Sequence, residues 1–374
     1  MTTYTITCHD VYNYGASLQA YALQKFLLSV GIDNKIINYM PDYLAWHYHL
    51  NWFISSRGNH YNLMRKNFLL RGLYVLHRYF KDLKSIERKR AFDDFRDSNM
   101  ILTKRCSCAD EINDVVADAD VLIAGSDQIW NSYSLENGLD RAFYLDFGPQ
   151  SARKISYAAS FGANEIKEQN REFVTKQLGH LNEISIREGK GLALLESLGF
   201  SGKLVMDPVF LLDQSFWLQA ANKPTLREQY ILVYAIGSMS ERMKEVISKI
   251  KREGKYRIIS IRSNKAIKGI EEIKNAGPVD FISLVKNASC ILSNSFHATA
   301  FSLIYHKLFY TFSYGNKKSS ERILELLRVV GLTERYDCKH FLLDDSINYD
   351  KVQMILNAKQ KESREWLVNA LKSK

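Results

Sequence analysis

Short apolar segments that each end at a polar or glycine-bearing turn are the strongest constraint on how this chain folds. In its first part they lie at residues 120–124, 155–159, 183–186 and 203–206. Stretches with apolar residues at helical spacing separate such segments, as at residues 17–28, between strand-like residues 3–8 and 35–39. Strands alternating with helices predict a parallel α/β sheet, which binds ligands at the carboxyl ends of its strands.

A second series of the same kind predicts a second domain. It follows a polar, proline-containing stretch at residues 213–229, which we interpret as a linker, and its strand-like segments are 230–234, 256–261 and 290–292. A chain of 374 residues is also too long for one ordinary domain. We therefore predict an α/β protein of two Rossmann-like domains that face each other across a cleft. The expected domains are residues 1–215 and 222–348, and a C-terminal helix at 349–374 is expected to pack back on the first domain.

A basic insertion interrupts the first series at about residues 44–105. It has helical periodicity and no clear strand, and from residue 57 to 105 it holds thirteen Lys/Arg against five Asp/Glu. Such a stretch is usually a solvated surface, but clustered basic and aromatic residues also suit contact with anionic lipid. The net charge of +10 permits an anionic ligand, a nucleic acid or a membrane. Nucleic acid is the least favoured, because no recognised binding module accompanies the basic cluster.

The cysteines and the chain start bear on compartment and metal content. Five scattered cysteines favour a reducing compartment over a disulfide framework. No apolar run approaches the roughly 18 residues that cross a bilayer, and the first residues lack the pattern of a signal peptide. We expect a cytoplasmic protein, with the inner face of the cytoplasmic membrane as its alternative location. The Cys106–Cys108 and Cys338–His340 segments lack the further ligands of a zinc site, so no metal is expected.

His297 is the first candidate for chemistry. It follows the segment at 290–292 and three small polar residues, and it precedes a helix-like stretch. A histidine in the first turn of a helix can bind phosphate or transfer a proton near neutral pH. A structural role is the competing interpretation.

Two further strand ends carry charged candidates. Arg187 has a planar guanidinium suited to carboxylate or phosphate, although an ion pair with Glu188 or another neighbouring carboxylate explains it equally well. Asp127 follows a glycine and a serine and could act as a base, although a simple turn is an equal explanation. Residues 125–128 match neither a Walker A loop nor the dinucleotide-binding fingerprint.

Six short motifs, taken in order, resemble the polysaccharide pyruvyl transferase family. They lie at residues 13–23 (NYGASLQAYAL), 125–131 (GSDQIWN), 157–162 (YAASFG), 185–188 (SIRE), 207–208 (DP) and 293–297 (SNSFH). The resemblance implies a fold like that of GT-B glycosyltransferases, with the active site between the domains. It also implies transfer of pyruvate from phosphoenolpyruvate, as co-substrate and without a cofactor, to sugar hydroxyls. The product is usually a cyclic ketal of a cell-surface polysaccharide, such as capsule or exopolysaccharide.

The resemblance also guides the choice of site residues. Arg187 and His297 match family positions that are expected to face phosphoenolpyruvate, and we predict His297, Asp127 and Glu188 as catalytic. The predicted acceptor-binding residues are Asn13, Tyr14, Gly15, Ser126, Gln128 and Trp130. The predicted donor-binding residues are Arg187, Ser293, Asn294, Ser295, Arg262 and Arg322. The acceptor is expected to be a sugar or a lipid-linked oligosaccharide.

One departure from the family matters for the donor. Many members carry Arg-Leu-His where this chain has Ser295-Phe296-His297. A cation that binds the donor is thereby lost, and Arg262, Lys286 or Arg322 could replace it. The alternatives are a nucleotide-sugar glycosyltransferase on the same architecture and a catalytically silent member of the family.

Overall fold

The computed structural model describes residues 1–44, 67–70, 72–74, 76, 85–133, 137–163, 165–223, 226, 228–261, 267, 269–314 and 321–372. Its first sheet has the order β2-β1-β3-β4, and all its strands are parallel. These strands are β1 (Thr2–Ile6), β2 (Asp33–Ile36), β3 (Val121–Ala124) and β4 (Arg153–Ser156). Two short parallel strands, β5 (Ser185–Ile186) and β6 (Lys203–Leu204), continue this sheet. Isolated parallel bridges connect them to it: Ile155 of β4 pairs with Glu183, and Ala159 pairs with Ile186 of β5. The carboxyl ends of six strands therefore lie along one edge of the N-terminal half.

Helices connect these strands. They are α1 (Tyr14–Ser29), α2 (Ile86–Asn99), α3 (Ala109–Val115), α4 (Glu168–Leu178) and α5 (Gly189–Ser197). Helix α2 lies in the predicted helical insertion, of which residues 45–66, 71, 75 and 77–84 are outside the described part of the chain. Helix α6 (Gln214–Ala220) follows, with Trp217 fully buried. The prediction of a linker over 213–229 is therefore wrong for residues 214–220, because Trp217 anchors a helix there.

The C-terminal half contains a second parallel sheet with the order β11-β10-β7-β8-β9. Its strands are β7 (Tyr230–Tyr234), β8 (Arg257–Ile261), β9 (Glu271–Ile273), β10 (Cys290–Ser293) and β11 (Leu308–Thr311). Its helices are α7 (Glu241–Glu253), α8 (Pro278–Asn287), α9 (Phe296–Ile304) and α10 (Glu321–Val330), followed by the long α11 (Tyr349–Lys372). The prediction of two Rossmann-like α/β units is confirmed by these two sheets.

The two halves share one continuous hydrophobic cluster. Helix α1 of the first half packs on α8 of the second, where the ring of Tyr14 stacks on Phe281 with centroids 4.7 Å apart. The Tyr14 hydroxyl also donates a hydrogen bond of 2.8 Å to the carbonyl oxygen of Ala276. These contacts fix the start of α1 against the C-terminal half, directly beside the strand ends.

Helix α11 leaves the C-terminal half and lies against the N-terminal one. The Ser363 hydroxyl accepts a hydrogen bond of 3.0 Å from the Met206 amide, and the Arg364 guanidinium donates to the carbonyl oxygen of Leu211. The helix therefore supports the segment after β6, which carries Asp207. In the described part of the chain no helix is both long and apolar enough to cross a membrane.

Candidate active site

Arg187 lies at the centre of an ion cluster built from three strand ends. It follows β5, and its side chain is 1% exposed. Its Nη1 donates to Asp207 Oδ2 at 2.8 Å, its Nη2 lies 3.4 Å from Asp127 Oδ1, and its Nε lies 3.6 Å from Glu188 Oε2. Three carboxylates thus surround one guanidinium. The expected ion pair with Glu188 is present but long, and the shortest contact is with a carboxylate twenty residues further along the chain.

Asp207 joins this cluster to the C-terminal half. Its carboxylate is completely buried; Oδ1 accepts a hydrogen bond from the Val209 amide, and Oδ2 lies 3.5 Å from His297 Nε2. Burial would raise the pKa of this carboxyl, but the neighbouring His297 and Arg187 outweigh burial and hold the pKa well below its usual range. Asp207 is therefore an anion shared between two candidate residues.

His297 is the second residue of α9, in the first turn as the sequence predicts. Ser295 caps this helix by accepting a hydrogen bond from the Ala298 amide. The His297 side chain is 11% exposed, and its Nε2 is buried without a hydrogen-bond partner among the described residues. The ring packs against Gly15 of the opposite half, where an added Cβ would lie 2.0 Å from Nδ1.

The backbone is strained beside this cluster. Asp127 has a φ of +77° and Ala158, just after β4, has a φ of +54°. A residue other than glycine in this region costs on the order of 1–3 kcal/mol and usually persists where the surroundings enforce it. For Asp127 this conformation accompanies a carboxylate that contacts both Arg187 and the amide of Gln128.

A cavity of about 320 Å³ opens next to the ion cluster. Arg187, Asp207, Phe296 and Arg322 line it, and its apolar wall consists of Leu192, Leu204, Val205, Met206, Phe210, Leu326 and Val329. This volume lies within the roughly 300–1,000 Å³ of small-molecule sites. His297 is not among the residues that line this cavity, but its neighbour Phe296 is, and so is Asp207, whose Oδ2 lies 3.5 Å from His297 Nε2.

Arg322 is an arginine of the cavity wall that lacks a partner in the described part of the chain. It makes no hydrogen bond or ion pair with any described residue, and burial together with repulsion from Arg187 lowers its pKa. It also lines a second, much smaller pocket with Gly162, Glu188 and Lys190. An arginine without a counter-ion, reachable from two pockets, is a ready contact for an anionic ligand.

Several predicted acceptor residues have structural roles. Trp130 is fully buried and donates to the Phe143 carbonyl oxygen, Tyr14 is in the core between the halves, and Asn13 caps α1. Tyr14 and Trp130 are therefore closed off from an acceptor by their burial. Ser126 is buried with its hydroxyl 3.3 Å from Arg187 Nη1, and the Gln128 amide oxygen accepts from Asn131.

Most of the predicted donor-binding residues also have structural roles, and only some lie at the cavity. The side chains of Ser293, Asn294 and Ser295 are hydrogen-bonded to backbone groups around β7 and α9, so they shape the loop. The Lys286 ammonium donates to the Leu218 and Ala221 carbonyl oxygens, and it is not part of the cavity wall. Arg262 lies outside the described residues. Arg322 alone of the proposed replacement cations lines the cavity in the described part of the chain.

Two residues at the site have no role in the sequence-based assignment. Asp207 belongs to a quoted motif at a strand end, and that position was the available signal. Glu325 lines both pockets and accepts a hydrogen bond from the Gly189 amide, while burial raises its pKa. Glu325 stands one turn after Arg322 in a helix without any of the six motifs, so no sequence signal pointed to it.

Comparison with known proteins identifies the family. The family model described as polysaccharide pyruvyl transferase matches residues 13–316, which include the ion cluster and His297. The chain belongs to this family. No curated protein matches the chain in sequence.

Solved structures with a similar fold come from sugar enzymes. A putative UDP-N-acetylglucosamine 2-epimerase from Listeria monocytogenes matches with a TM-score of 0.54 at 9% identity, covering 100% of this chain and 96% of that one. An alpha-glucosyltransferase solved with UDP and DNA matches with a TM-score of 0.53 at 10% identity, covering 100% of both chains. This polysaccharide pyruvyl transferase family member therefore has the two-domain GT-B type of fold, as the sequence predicts.

Proposed function

We propose that this chain transfers pyruvate from phosphoenolpyruvate to sugar hydroxyls, forming a ketal, in the biosynthesis of a cell-surface polysaccharide. The observation that carries the proposal is Arg322, which lines the cavity beside Arg187 and has no partner in the described part of the chain. Phosphoenolpyruvate has a phosphate and a carboxylate, and a guanidinium binds either group through paired hydrogen bonds. Family membership supports the transferase class, and the cavity supports an anionic donor.

The charges indicate how the donor is held. Asp207, Asp127 and Glu188 already offset the charge of Arg187, whereas Arg322 has no counter-ion among the described residues. An anionic group of the donor supplies that counter-ion, so Arg322 replaces the cation that the Ser295-Phe296-His297 motif lacks. Arg187 then orients the donor from the ion cluster, with its guanidinium at the cavity wall.

The proposed reaction needs proton transfer and charge stabilisation. A proton is added to the methylene carbon of phosphoenolpyruvate, so the carbon that carries the phosphate becomes electrophilic. A sugar hydroxyl attacks this carbon, the bond to phosphate breaks, and a second hydroxyl closes the ketal. Of the two hydroxyl protons, one balances the proton gained by the methyl group and the other leaves with phosphate.

The catalytic roles follow the position of each group. We assign proton transfer or phosphate stabilisation to His297, and the acceptor side to Asp127 and Glu188. Glu188 lines the smaller pocket, which shares Arg322 and Glu325 with the main cavity. A sugar hydroxyl entering the smaller pocket would meet the Glu188 carboxylate close to the arginine that holds the donor.

A thermal-shift comparison tests the donor. Phosphoenolpyruvate should raise the melting temperature more than UDP, GDP or CMP, because a ligand at about 100 times its Kd stabilises the folded chain by roughly 2.7 kcal/mol. Arg322→Met should weaken phosphoenolpyruvate binding roughly 10- to 150-fold, the equivalent of about 1.5–3 kcal/mol for a charged hydrogen bond. Arg328→Met, an exposed arginine on the same helix, is the matched control. A larger shift with a nucleotide would instead favour the glycosyltransferase alternative.

We further propose that the enzyme works at the inner face of the cytoplasmic membrane on a lipid-linked oligosaccharide. Between Asp42 and Asp82 the sequence has six Lys/Arg residues and no Asp or Glu. Within this stretch Phe68, Leu69 and Leu73 are exposed. Basic and apolar side chains together favour binding to anionic lipid, which would bring the site close to such an acceptor.

A further inference from the structure

The nitrogen through which His297 acts can be read from the contacts of its ring. Nε2 lies 3.5 Å from Asp207 Oδ2 and is buried, with no hydrogen-bond partner among the described residues. The remaining exposure of the side chain, 11%, therefore lies elsewhere on the ring. Nδ1 makes no hydrogen bond with a described residue and, unlike Nε2, is not among the buried polar atoms, so it is the ring nitrogen left for a substrate.

Gly15 determines how much room that nitrogen has. An added Cβ would lie 2.0 Å from Nδ1 and 2.5 and 2.6 Å from Cε1 and Cγ, so even one methyl group would overlap the ring. Gly15 is the second residue of α1 and has no left-handed backbone conformation. Any residue could adopt the backbone conformation of Gly15. A glycine is therefore needed here because a side chain would overlap the imidazole.

Both contacts come from the N-terminal half, whereas His297 belongs to the C-terminal half. Asp207 is itself held by the Val209 amide and by Arg187 Nη1, and Gly15 is held by the Asn13 cap of α1. Neither contact is therefore made by a mobile surface side chain. The N-terminal half therefore holds the imidazole of the C-terminal half in position.

We propose that Asp207 and Gly15 are positioning residues that hold His297 with its proton on Nε2 and leave Nδ1 as the nitrogen that exchanges a proton with the substrate. This inference rests on the proposed role of His297. A carboxylate next to one ring nitrogen favours the tautomer protonated there, and the other nitrogen then has its lone pair free. In other enzymes the loss of such a carboxylate leaves the wrong tautomer and a large loss of kcat.

Nitrogen NMR of the full chain tests the tautomer without any substrate. The protein is labelled with ¹⁵N-histidine, the signals of His297 are assigned by their absence in His297→Ala, and spectra are recorded at a pH where the ring is neutral. We expect the proton on Nε2 in the wild type and its partial or complete transfer to Nδ1 in Asp207→Asn. A proton on Nδ1 in the wild type, or the same tautomer in both proteins, would overturn the inference. The wild-type spectrum decides the first point even if the variant fails to fold.

Gly15→Ala tests the space around Nδ1. We expect altered His297 ring shifts and a loss of kcat of at least about tenfold for phosphate release from phosphoenolpyruvate, with KM for this donor little changed, because the ring loses its alignment. Gly179→Ala is the matched control, since this glycine has a right-handed helical backbone and an added Cβ would meet only the carbonyl oxygens of Lys176 and Thr175 among the described residues. Unchanged ring shifts and kcat in folded Gly15→Ala would contradict the role of Gly15. Failure of the wild type to bind phosphoenolpyruvate or release phosphate would refute the proposed function and leave the NMR result standing.

Discussion

Asp207 shows most clearly how a single residue links sequence to chemistry in this protein. A buried carboxylate is stable only where cations or hydrogen bonds compensate for lost hydration. Here Arg187 and His297 provide that compensation, and they lower the pKa of Asp207 well below its usual range although burial acts in the opposite direction.

This lowered pKa predicts how stability depends on pH. A carboxyl with a lower pKa in the folded state stabilises the fold above its unfolded pKa of about 4, and this contribution is lost as the pH falls towards the folded value. Asp207→Asn should reduce the free energy of unfolding by about 3–5 kcal/mol at neutral pH, since it breaks a buried pair. The difference from the wild type should narrow below about pH 4.

Urea unfolding over a pH series measures this difference. Asp213→Asn is the control, because Asp213 forms an exposed pair with Arg364 and should change stability by less than about 1 kcal/mol. A deficit of Asp207→Asn that stays the same from neutral to acid pH would show that Asp207 does not contribute through its charge.

Sequence reasoning could find Arg187 and His297, since each directly follows an apolar strand-like segment. It could not find their partners. The sequence names only the adjacent Glu188 among the possible partners of Arg187, but the geometry of parallel strands brings Asp207 closer, at 2.8 Å against 3.6 Å. Contacts between different strand ends depend on sheet order, which a single sequence does not specify.

At the level of elements, a continuous apolar strand was predictable and a short polar one was not. Strand β7 (Tyr230–Tyr234) has the predicted bounds because five consecutive buried residues mark it. Strand β9 (Glu271–Ile273) escaped prediction because it is a three-residue edge strand with two glutamates. Helix α6 (Gln214–Ala220) escaped prediction because it has only seven residues, of which Trp217 alone is buried.

The helical residues of the basic insertion lead to a prediction about membrane binding. Residues 68–70 and 72–74 are helical, and Leu69 and Leu73 stand four residues apart on one face with exposed fractions of 76% and 64%. We expect the wild type to sediment with vesicles that contain anionic lipid and to be released by salt. Leu69→Asn/Leu73→Asn should weaken this binding at least about tenfold, because two apolar side chains no longer enter the lipid interface.

A control on another helix separates this effect from general loss of apolar surface. Met354 in α11 is 69% exposed, and Met354→Asn should bind vesicles like the wild type. Equal sedimentation of all three proteins, or no sedimentation of the wild type, would remove the membrane contact from the account.

At the scale of the whole molecule, the two halves act as one unit. The core continues from α1 into α8 and α9, and α11 returns to the segment that carries Asp207. The sequence predicted two similar halves and a cleft. It could not predict the cavity, whose wall is drawn from segments between Arg187 and Ser363 that meet only after folding.

The packing of the two halves against each other explains why several motif residues do not contact a substrate. Tyr14 and Gly15 belong to a motif of the first half, yet their side-chain and backbone contacts are with Phe281 and His297 of the second. A motif that joins two halves looks the same in sequence as a motif that binds a ligand.

A crystal structure of the chain with phosphoenolpyruvate tests the central claim most directly. We predict the phosphate or carboxylate of the donor within hydrogen-bond distance, about 2.7–2.9 Å, of the Arg322 guanidinium, with the reacting carbons between Arg187 and the His297 helix. Phosphoenolpyruvate bound away from both arginines, or a cavity that admits only a nucleoside diphosphate, would contradict the account.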